Sequence, residues 1–337
     1  MRVVAALALM VGLGAAPAEG AITQPPQPTF GPGGSDYSHG GYHVVAGGKG
    51  SNAWYVFTPK RPRPASAPLA IITHGYYEFS GYQQMYTLIK HTVRKGNIVI
   101  YPRWQKGVAD PCPGPFSIEP CMQSELNGIR GALSYLKASK RHVQPQLNRT
   151  SYFGFSFGGI ITADLTNRWR SLDLPKPRAI FLDDPHDGGF AQLGFDEPAL
   201  DDSLAGIPST TLFQCHSGAD GVISEPHKAK SSCNAVFPKL GQIPSKHKDL
   251  VLTHTDNHGS PGLSSVHGVC AGYPGTANAY DWNFCWKVWD ALQSCAYFGK
   301  WCPDALGDTR QHRFLGRWSD GVPVTPLKVQ DRAPIRP

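Results

Sequence analysis

One pentapeptide of the chain has the residue types of a serine nucleophile. Gly154-Phe155-Ser156-Phe157-Gly158 fits the pattern G-x-S-x-G, in which the serine stands on a tight turn between a strand and a helix. Hydrophobic patterning predicts a strand over residues 151–155 and a helix from 158, so the pentapeptide falls on such a turn. We therefore expect Ser156 to attack a carbonyl carbon, at the end of a helix that favours the developing negative charge. The plainer alternative is a strand-to-helix turn that happens to contain a serine.

A serine hydroxyl is a poor nucleophile, so a histidine must take its proton. His258 follows the last apolar strand, predicted over residues 250–253, and stands beside a glycine in a polar loop. We expect His258 to be this base. His254 and His267 are the alternatives from the same part of the chain.

A carboxylate must orient the base. Asp220 lies in a glycine-flanked stretch after the strand predicted over residues 210–214, and we expect it to be this acid. Asp183 and Asp184, at the end of the preceding strand, are the alternatives. Asp220 would otherwise simply cap a turn, as aspartate commonly does.

The oxyanion of the reaction needs two backbone donors. We expect them to be the N–H groups of Phe157, directly after the nucleophile, and of Tyr76 in the loop that follows the first central strand. Gly75 would allow the backbone to approach the substrate there. Four aromatic residues near this loop are predicted to form either an acyl or alcohol pocket or ordinary core: Tyr76, Tyr77, Phe79 and Trp104.

Strand-like and helix-like segments alternate along most of the chain. Residues 42–45 and 53–58 predict an early antiparallel hairpin. Further strands are predicted over 69–73, 97–101, 151–155, 179–182, 210–214 and 250–253, and helices over 82–94, 118–138, 158–169 and 279–294. This alternation predicts an α/β protein with a mostly parallel central sheet and helices on both faces. Chemistry is then expected at the carboxyl ends of the strands.

The motifs occur in an order that resembles the α/β-hydrolase superfamily. His74-Gly75-Tyr76, the serine pentapeptide, Asp220 and His258 follow one another in that order, and the resemblance spans residues 66–294. The chain is most similar to secreted bacterial esterases and lipases of the dienelactone-hydrolase and cutinase-like polyester-hydrolase branches. The resemblance implies the α/β-hydrolase fold and hydrolysis of small or polymeric carboxylic esters without a cofactor or a metal.

The ends of the chain and its cysteines suggest export. Residues 1–18 have a basic start, an apolar run and a small-residue cleavage site, which predicts a signal peptide and a secreted or periplasmic protein. The eight cysteines fall into local pairs, which favours disulfides: Cys112–Cys121, Cys215–Cys233, Cys270–Cys285 and Cys295–Cys302. We expect an N-terminal extension with the hairpin over 19–65, a catalytic domain over 66–306 with a lid at 187–208, and a Pro/Arg-rich tail over 307–337.

Charge and hydropathy argue against several other classes of protein. The net charge is +7, but the basic residues are scattered, so we expect no nucleic-acid partner. No apolar run reaches the roughly 20 residues of a membrane span. Three alternatives share the motifs: an amidase or peptidase with the same triad, a binding protein that keeps the fold without catalysis, and a metal-dependent hydrolase using His186, His254 and His258.

Overall fold

The computed structural model describes residues 20–78, 81–109, 111–114, 117–186, 200–220 and 232–336. These residues form one mixed sheet of nine strands, in the order β1-β2-β4-β3-β5-β6-β7-β8-β9. The strands are β1 (Gly41–Gly47), β2 (Trp54–Lys60), β3 (Ser66–Thr73), β4 (Ile98–Pro102), β5 (Gln144–Phe155), β6 (Pro177–Asp183), β7 (Leu212–Gly218), β8 (Lys248–Thr253) and β9 (Lys328–Gln330). The predicted signal peptide, residues 1–18, lies outside the described residues.

Helices connect most of the strands. The α-helices are α1 (Tyr86–Arg94), α2 (Ile118–Lys137), α3 (Phe157–Asn167), α4 (Cys233–Val236), α5 (Trp286–Phe298) and α6 (Arg310–Arg313). Short 3-10 turns occur at Gly50–Asn52, Gln83–Met85, Phe237–Lys239, Ser245–His247 and Cys302–Asp304, and a π-helical turn, Asp281–Cys285, leads into α5. None of the helices within the described residues is long and apolar enough to cross a membrane.

Six neighbouring strands, β4, β3, β5, β6, β7 and β8, run parallel, and the outer pairs are antiparallel. Successive side chains of the central strands enter opposite cores: Leu69 and Ile71 pack on the face of α2 and α3, and Ala70 and Ile72 on the face of α1 and α5. Strands covered on both faces are buried throughout, as β4, β7 and β8 are. The predicted α/β architecture is thus confirmed.

The predicted elements are found with shifted ends. β1 and β2 form the predicted antiparallel hairpin, and α2 begins at the predicted residue, Ile118. β7 begins and ends later than predicted, because its backbone pairing with β8 extends from Phe213 to Gly218. The segment after residue 306 packs on the sheet, where β9 pairs antiparallel with β8.

The four predicted disulfides are confirmed: Cys112–Cys121, Cys215–Cys233, Cys270–Cys285 and Cys295–Cys302. Each closes a short loop, which is why local spacing was informative. Disulfides persist in oxidising compartments, so four of them fit an extracellular or periplasmic environment.

The side on which successive strands are added to the sheet changes at β3. The chain leaves β3 to form β4 on one side, then returns to place β5 on the other side of β3. At such a switch point the loops after the two strands diverge and leave a crevice at their carboxyl ends. The loop from His74 and the turn at Ser156 both border this crevice.

Candidate functional site

Ser156 occupies a strained turn between β5 and α3. Its backbone angles are φ 54° and ψ −126°, a region that residues with a side chain rarely adopt. Backbone hydrogen bonds hold the turn: the Ser156 N–H donates to the Asp183 carbonyl (2.9 Å), and the Ser156 carbonyl accepts from the N–H groups of Gly159 (2.8 Å) and His186 (3.1 Å). Such strain persists only where the surroundings over-determine it, and it clusters at functional sites.

Three glycines around Ser156 are required by close contacts. A Cβ added at Gly158 would lie 2.1 Å from the His74 carbonyl oxygen, and one at Gly154 would lie 2.4 Å from Thr162 Oγ1. A Cβ at Gly159 would meet Pro185 at 2.9 Å. The glycines of the sequence motif therefore let α3 pack directly against β3 and β5, which fixes the position of the serine.

His267 is the histidine that the structure brings to Ser156. Its Nε2 lies 2.9 Å from Ser156 Oγ, within hydrogen-bonding distance. The expected partner, His258, is elsewhere: its Nε2 bonds Asp320 Oδ2 at 2.7 Å, and its ring lies beside Trp318. Among the described residues, neither His258 nor His254 hydrogen-bonds Ser156.

The difference arises in the loop after β8. Backbone hydrogen bonds of 2.8 Å in both directions join Asp256 and Leu263, and they close a small loop that carries His258 away from the crevice. The chain returns to the sheet edge only at Ser265, so His267 is the first histidine to arrive there. The sequence signal for it, a histidine before Gly268, was no stronger than that for His258.

The environment of His267 keeps its ring neutral. Burial, together with smaller effects of the neighbouring His186 and His216, lowers the pKa of His267 to about 4. A neutral ring presents a free nitrogen to the serine hydroxyl and carries its own proton on the other nitrogen. Nδ1 of His267 is buried and has no hydrogen-bond partner among the described residues.

Asp220 lies beside the His267 loop without bonding its ring. Its N–H donates to the Ser265 carbonyl (3.1 Å), and its Oδ2 accepts from the Thr255 N–H (2.6 Å). The hydrogen bonds from Thr255 hold the pKa of Asp220 below its usual range, so it is ionised at neutral pH. The residues that follow, 221–231, lie outside the described part of the chain.

Asp183 and Asp184 lie beneath the same loop and are buried. The two oxygens of Asp184 accept from the N–H groups of Gly218 (2.8 Å) and Gly268 (3.0 Å). Oδ1 of Asp183 lies 2.6 Å from His216 Nδ1. Burial raises the pKa of each carboxyl to about 7. Both alternatives to Asp220 are therefore already committed to partners other than His267.

The loop after β3 lies against Ser156 and is held by buried side chains. A Cβ at Gly75 would lie 3.2 Å from Ser156 Cβ and 2.7 Å from the Phe155 ring, so this backbone approaches the serine as closely as it can. The Gly75 N–H donates to Gln84 Oε1 (2.8 Å), and the Gln84 N–H donates to Glu78 Oε2 (2.6 Å). The structure thus places the expected Tyr76 and Phe157 on the two chain segments that flank Ser156.

The aromatic residues predicted to line a pocket or the core differ in their burial. Trp104 is fully buried; its ring stacks on His74 (5.1 Å between centroids), and its Nε1–H donates to the His74 carbonyl (3.0 Å). It is therefore core beneath the loop. Tyr77 is 72% exposed, whereas Phe79 lies outside the described residues.

Four exposed apolar side chains belong to segments that adjoin the candidate site residues. Tyr77 directly follows Tyr76, and Val266 directly precedes His267. The Tyr76 hydroxyl donates to the Val108 carbonyl (2.6 Å). Tyr273 follows the His267 loop. All four side chains are exposed to solvent; we refer to them as the apolar rim.

Within the described part of the chain, one group of residues has the spacing of a metal site. Ligand atoms of Asp183, His216 and Cys270 lie within 4.8 Å of one another. The Cys270 sulfur, however, is bonded to Cys285, so it offers no thiolate. This donor set does not fit a metal ion.

Comparison with known proteins adds no assignment. No protein-family model matches the chain, and no curated protein matches it. The functional assignment therefore depends on the geometry of the site.

Proposed function

We propose that the protein is a serine hydrolase that cleaves carboxylic esters through an acyl-enzyme. The observation that carries this proposal is the 2.9 Å contact between His267 Nε2 and Ser156 Oγ, made on a strained turn at the sheet's switch point. Nucleophile and base within hydrogen-bonding reach are the signature of an activated serine.

The reaction uses Ser156 and His267 in two half-reactions. Ser156 Oγ bonds to the ester carbonyl carbon while its proton passes to His267 Nε2. The bond to the alcohol oxygen then breaks, and the same proton leaves with the alcohol. Water repeats the sequence on the acyl group, which releases the carboxylic acid and restores the serine hydroxyl.

The backbone N–H groups of Tyr76 and Phe157 are the proposed donors to the tetrahedral oxyanion. Phe157 directly follows Ser156 and is the first residue of α3. The α3 dipole adds partial positive charge at the same place. A single such donor contributes about 3 kcal/mol of transition-state stabilisation.

Asp220 is the proposed partner of His267 Nδ1. It is ionised, and its main chain is tied to the loop of the base through the Ser265 carbonyl. An ionised carboxylate stabilises the imidazolium that forms during catalysis. Asp184 is the alternative, favoured by its 3.0 Å bond to Gly268, the residue after the base.

The α/β-hydrolase fold is the architecture that best accommodates this site. The strand order, with β3 and β5 adjacent and the nucleophile directly after β5, supports it. The four disulfides support export of the protein, in agreement with the leader expected from the sequence. The apolar rim supports esters that carry an apolar acyl or alcohol group.

Hydrolysis of short- and long-chain p-nitrophenyl esters by the purified mature protein tests the proposal. Wild type should turn over and bind a fluorophosphonate label covalently, and Ser156→Ala should do neither. Ser245→Ala, at an exposed serine outside the site, is the matched control and should behave as wild type. A folded wild type that neither labels nor turns over would favour a binding protein instead; turnover of anilides at rates comparable to esters would favour an amidase.

A further inference from the structure

A chain of buried polar side chains runs beneath the His267 loop. Asp183 Oδ1 lies 2.6 Å from His216 Nδ1, and His216 Nε2 lies 2.9 Å from Thr253 Oγ1. Thr253 Oγ1 in turn lies 2.6 Å from Ser265 Oγ. All four side chains are buried. This row of hydrogen-bonded side chains therefore links β6, β7 and β8 to Ser265, two positions before His267.

The loop that carries His267 is not held by the regular backbone hydrogen bonds of a helix or a strand. Residues 265–270 belong to no helix or strand. Contacts with neighbouring segments hold them instead: Ser265 hydrogen-bonds Thr253, Thr255, Ala219 and Asp220. The Gly268 N–H donates to Asp184 (3.0 Å), and Cys270 is held by its N–H bond to Asp183 (3.3 Å) and by its disulfide with Cys285. His267 lies between the attachments of Ser265 and Gly268.

His216 occupies the centre of this arrangement. Both of its ring nitrogens have partners, and its ring packs against Phe284 at 4.5 Å between centroids. Burying an imidazole and a carboxylate costs free energy that an apolar pair of similar volume would avoid. Polar networks that are fully satisfied define one arrangement of the groups they join.

We propose that His216, Thr253 and Ser265 position His267 for proton transfer from Ser156. The proposal rests on the proposed hydrolase function. Among the described residues, His216 hydrogen-bonds neither Ser156 nor His267. In the proposal it acts through Thr253 and Ser265, so these three are positioning residues. A shift of the base by about 1 Å lowers the rate of proton transfer strongly, whereas substrate binding at the apolar rim does not depend on it.

Thr253→Val tests the link with little change in shape. It removes the hydroxyl that joins His216 to Ser265, and Thr253→Ser restores that hydroxyl. Fluorophosphonate titration gives the number of folded sites in each preparation, and kcat is expressed per site. We expect Thr253→Val to lower kcat and the labelling rate roughly 10- to 100-fold with KM unchanged, and Thr253→Ser to stay within about threefold of wild type.

The opposite results are equally specific. A Thr253→Val protein with wild-type kcat per labelled site overturns the proposal, as does a loss of titratable sites with normal kcat in the remainder, since that is a purely structural effect. If Thr253→Val fails to fold, Ser265→Ala is the substitute test. It removes the hydroxyl at the end of the row Asp183–His216–Thr253–Ser265 and must show the same loss of kcat. A wild-type protein that does not label overturns the hydrolase function itself and, with it, the need to position a base.

Discussion

His267 Nε2 lies 2.9 Å from Ser156 Oγ although the two residues are 111 positions apart. The contact joins a turn that local sequence specifies to a loop that it does not. It also separates His267 from His258, whose ring is engaged by Asp320. The two histidines therefore provide a direct comparison in the laboratory.

The first prediction compares the two histidines. His267→Gln should lower kcat roughly 10²- to 10⁴-fold, because an amide cannot take the proton of Ser156. His258→Gln should keep kcat within about twofold, because the His258 ring bonds Asp320 and packs beside Trp318, not Ser156. Steady-state ester hydrolysis by both variants checks this. Equal losses would remove the distinction on which the assignment depends.

The second prediction concerns the carboxylate that orients the base. Asp220→Asn should lower kcat roughly 10²- to 10⁴-fold with an unchanged melting temperature, since the side chain is at the surface. Asp184→Asn should lower the melting temperature, because one buried N–H of Gly218 or Gly268 loses its acceptor. Activity and thermal unfolding of the two variants are measured together. Full activity in Asp220→Asn would transfer the role to Asp184.

The third prediction is the acid limb of the pH profile. Burial disfavours the imidazolium and lowers the pKa of His267 to about 4. The base is neutral and competent above this value and protonated below it. The proposed Asp220 partner would oppose this shift, because an ionised carboxylate favours the imidazolium. In the free enzyme, kcat/KM should therefore rise with pH to a midpoint between about 4 and 6.5. A midpoint above about 6.5, the value of a solvated histidine, would contradict the buried environment of the ring.

The fourth prediction links Glu125, on α2, to stability. Its carboxyl is fully buried beside Thr73, and burial raises its pKa from 4.5 to about 8. The folded state thus holds a proton that the unfolded state releases. The stability from this proton is complete below about pH 4.5 and is lost as pH rises through about 8.

Glu125→Gln cannot ionise and keeps an acceptor for the Thr73 hydroxyl. Its melting temperature should exceed that of wild type at pH 9, and the difference should shrink at pH 5. Glu119→Gln, on the same helix with the side chain of Glu119 60% exposed, should not change the dependence on pH. Thermal unfolding of the three proteins at both pH values tests this prediction. A difference in melting temperature between wild type and Glu125→Gln that is the same at both pH values would count against it.

The fifth prediction tests the close packing of the nucleophile turn. Gly158→Ala places a Cβ 2.1 Å from a backbone oxygen of His74, which cannot move without displacing β3 or α3. We expect a loss of at least about 2 kcal/mol in the free energy of unfolding. Gly241→Ala meets no atom within 4 Å and should change it by less than about 0.5 kcal/mol. Denaturant unfolding of both variants compares them, and equal stabilities would show that the turn tolerates a side chain.

Local sequence was sufficient wherever the determining interactions are short in range. The strand over 151–155 and the helix after it follow from hydrophobic period. The glycines around Ser156 and the disulfides within short loops are likewise visible in the sequence. These predictions needed no knowledge of which segments meet in space.

The proposed base and acid required the tertiary structure. His254, His258 and His267 all follow β8, and the sequence favoured His258, which does not contact Ser156 in the structure. The bridge between Asp256 and Leu263 and the contact of His258 with Asp320, from the C-terminal segment, decide which histidine reaches Ser156. Such loop positions depend on partners distant in the chain. The sequence therefore determined the turn at Ser156 and its flanking elements, and the packing of loops at the switch point decided which side chains lie beside it.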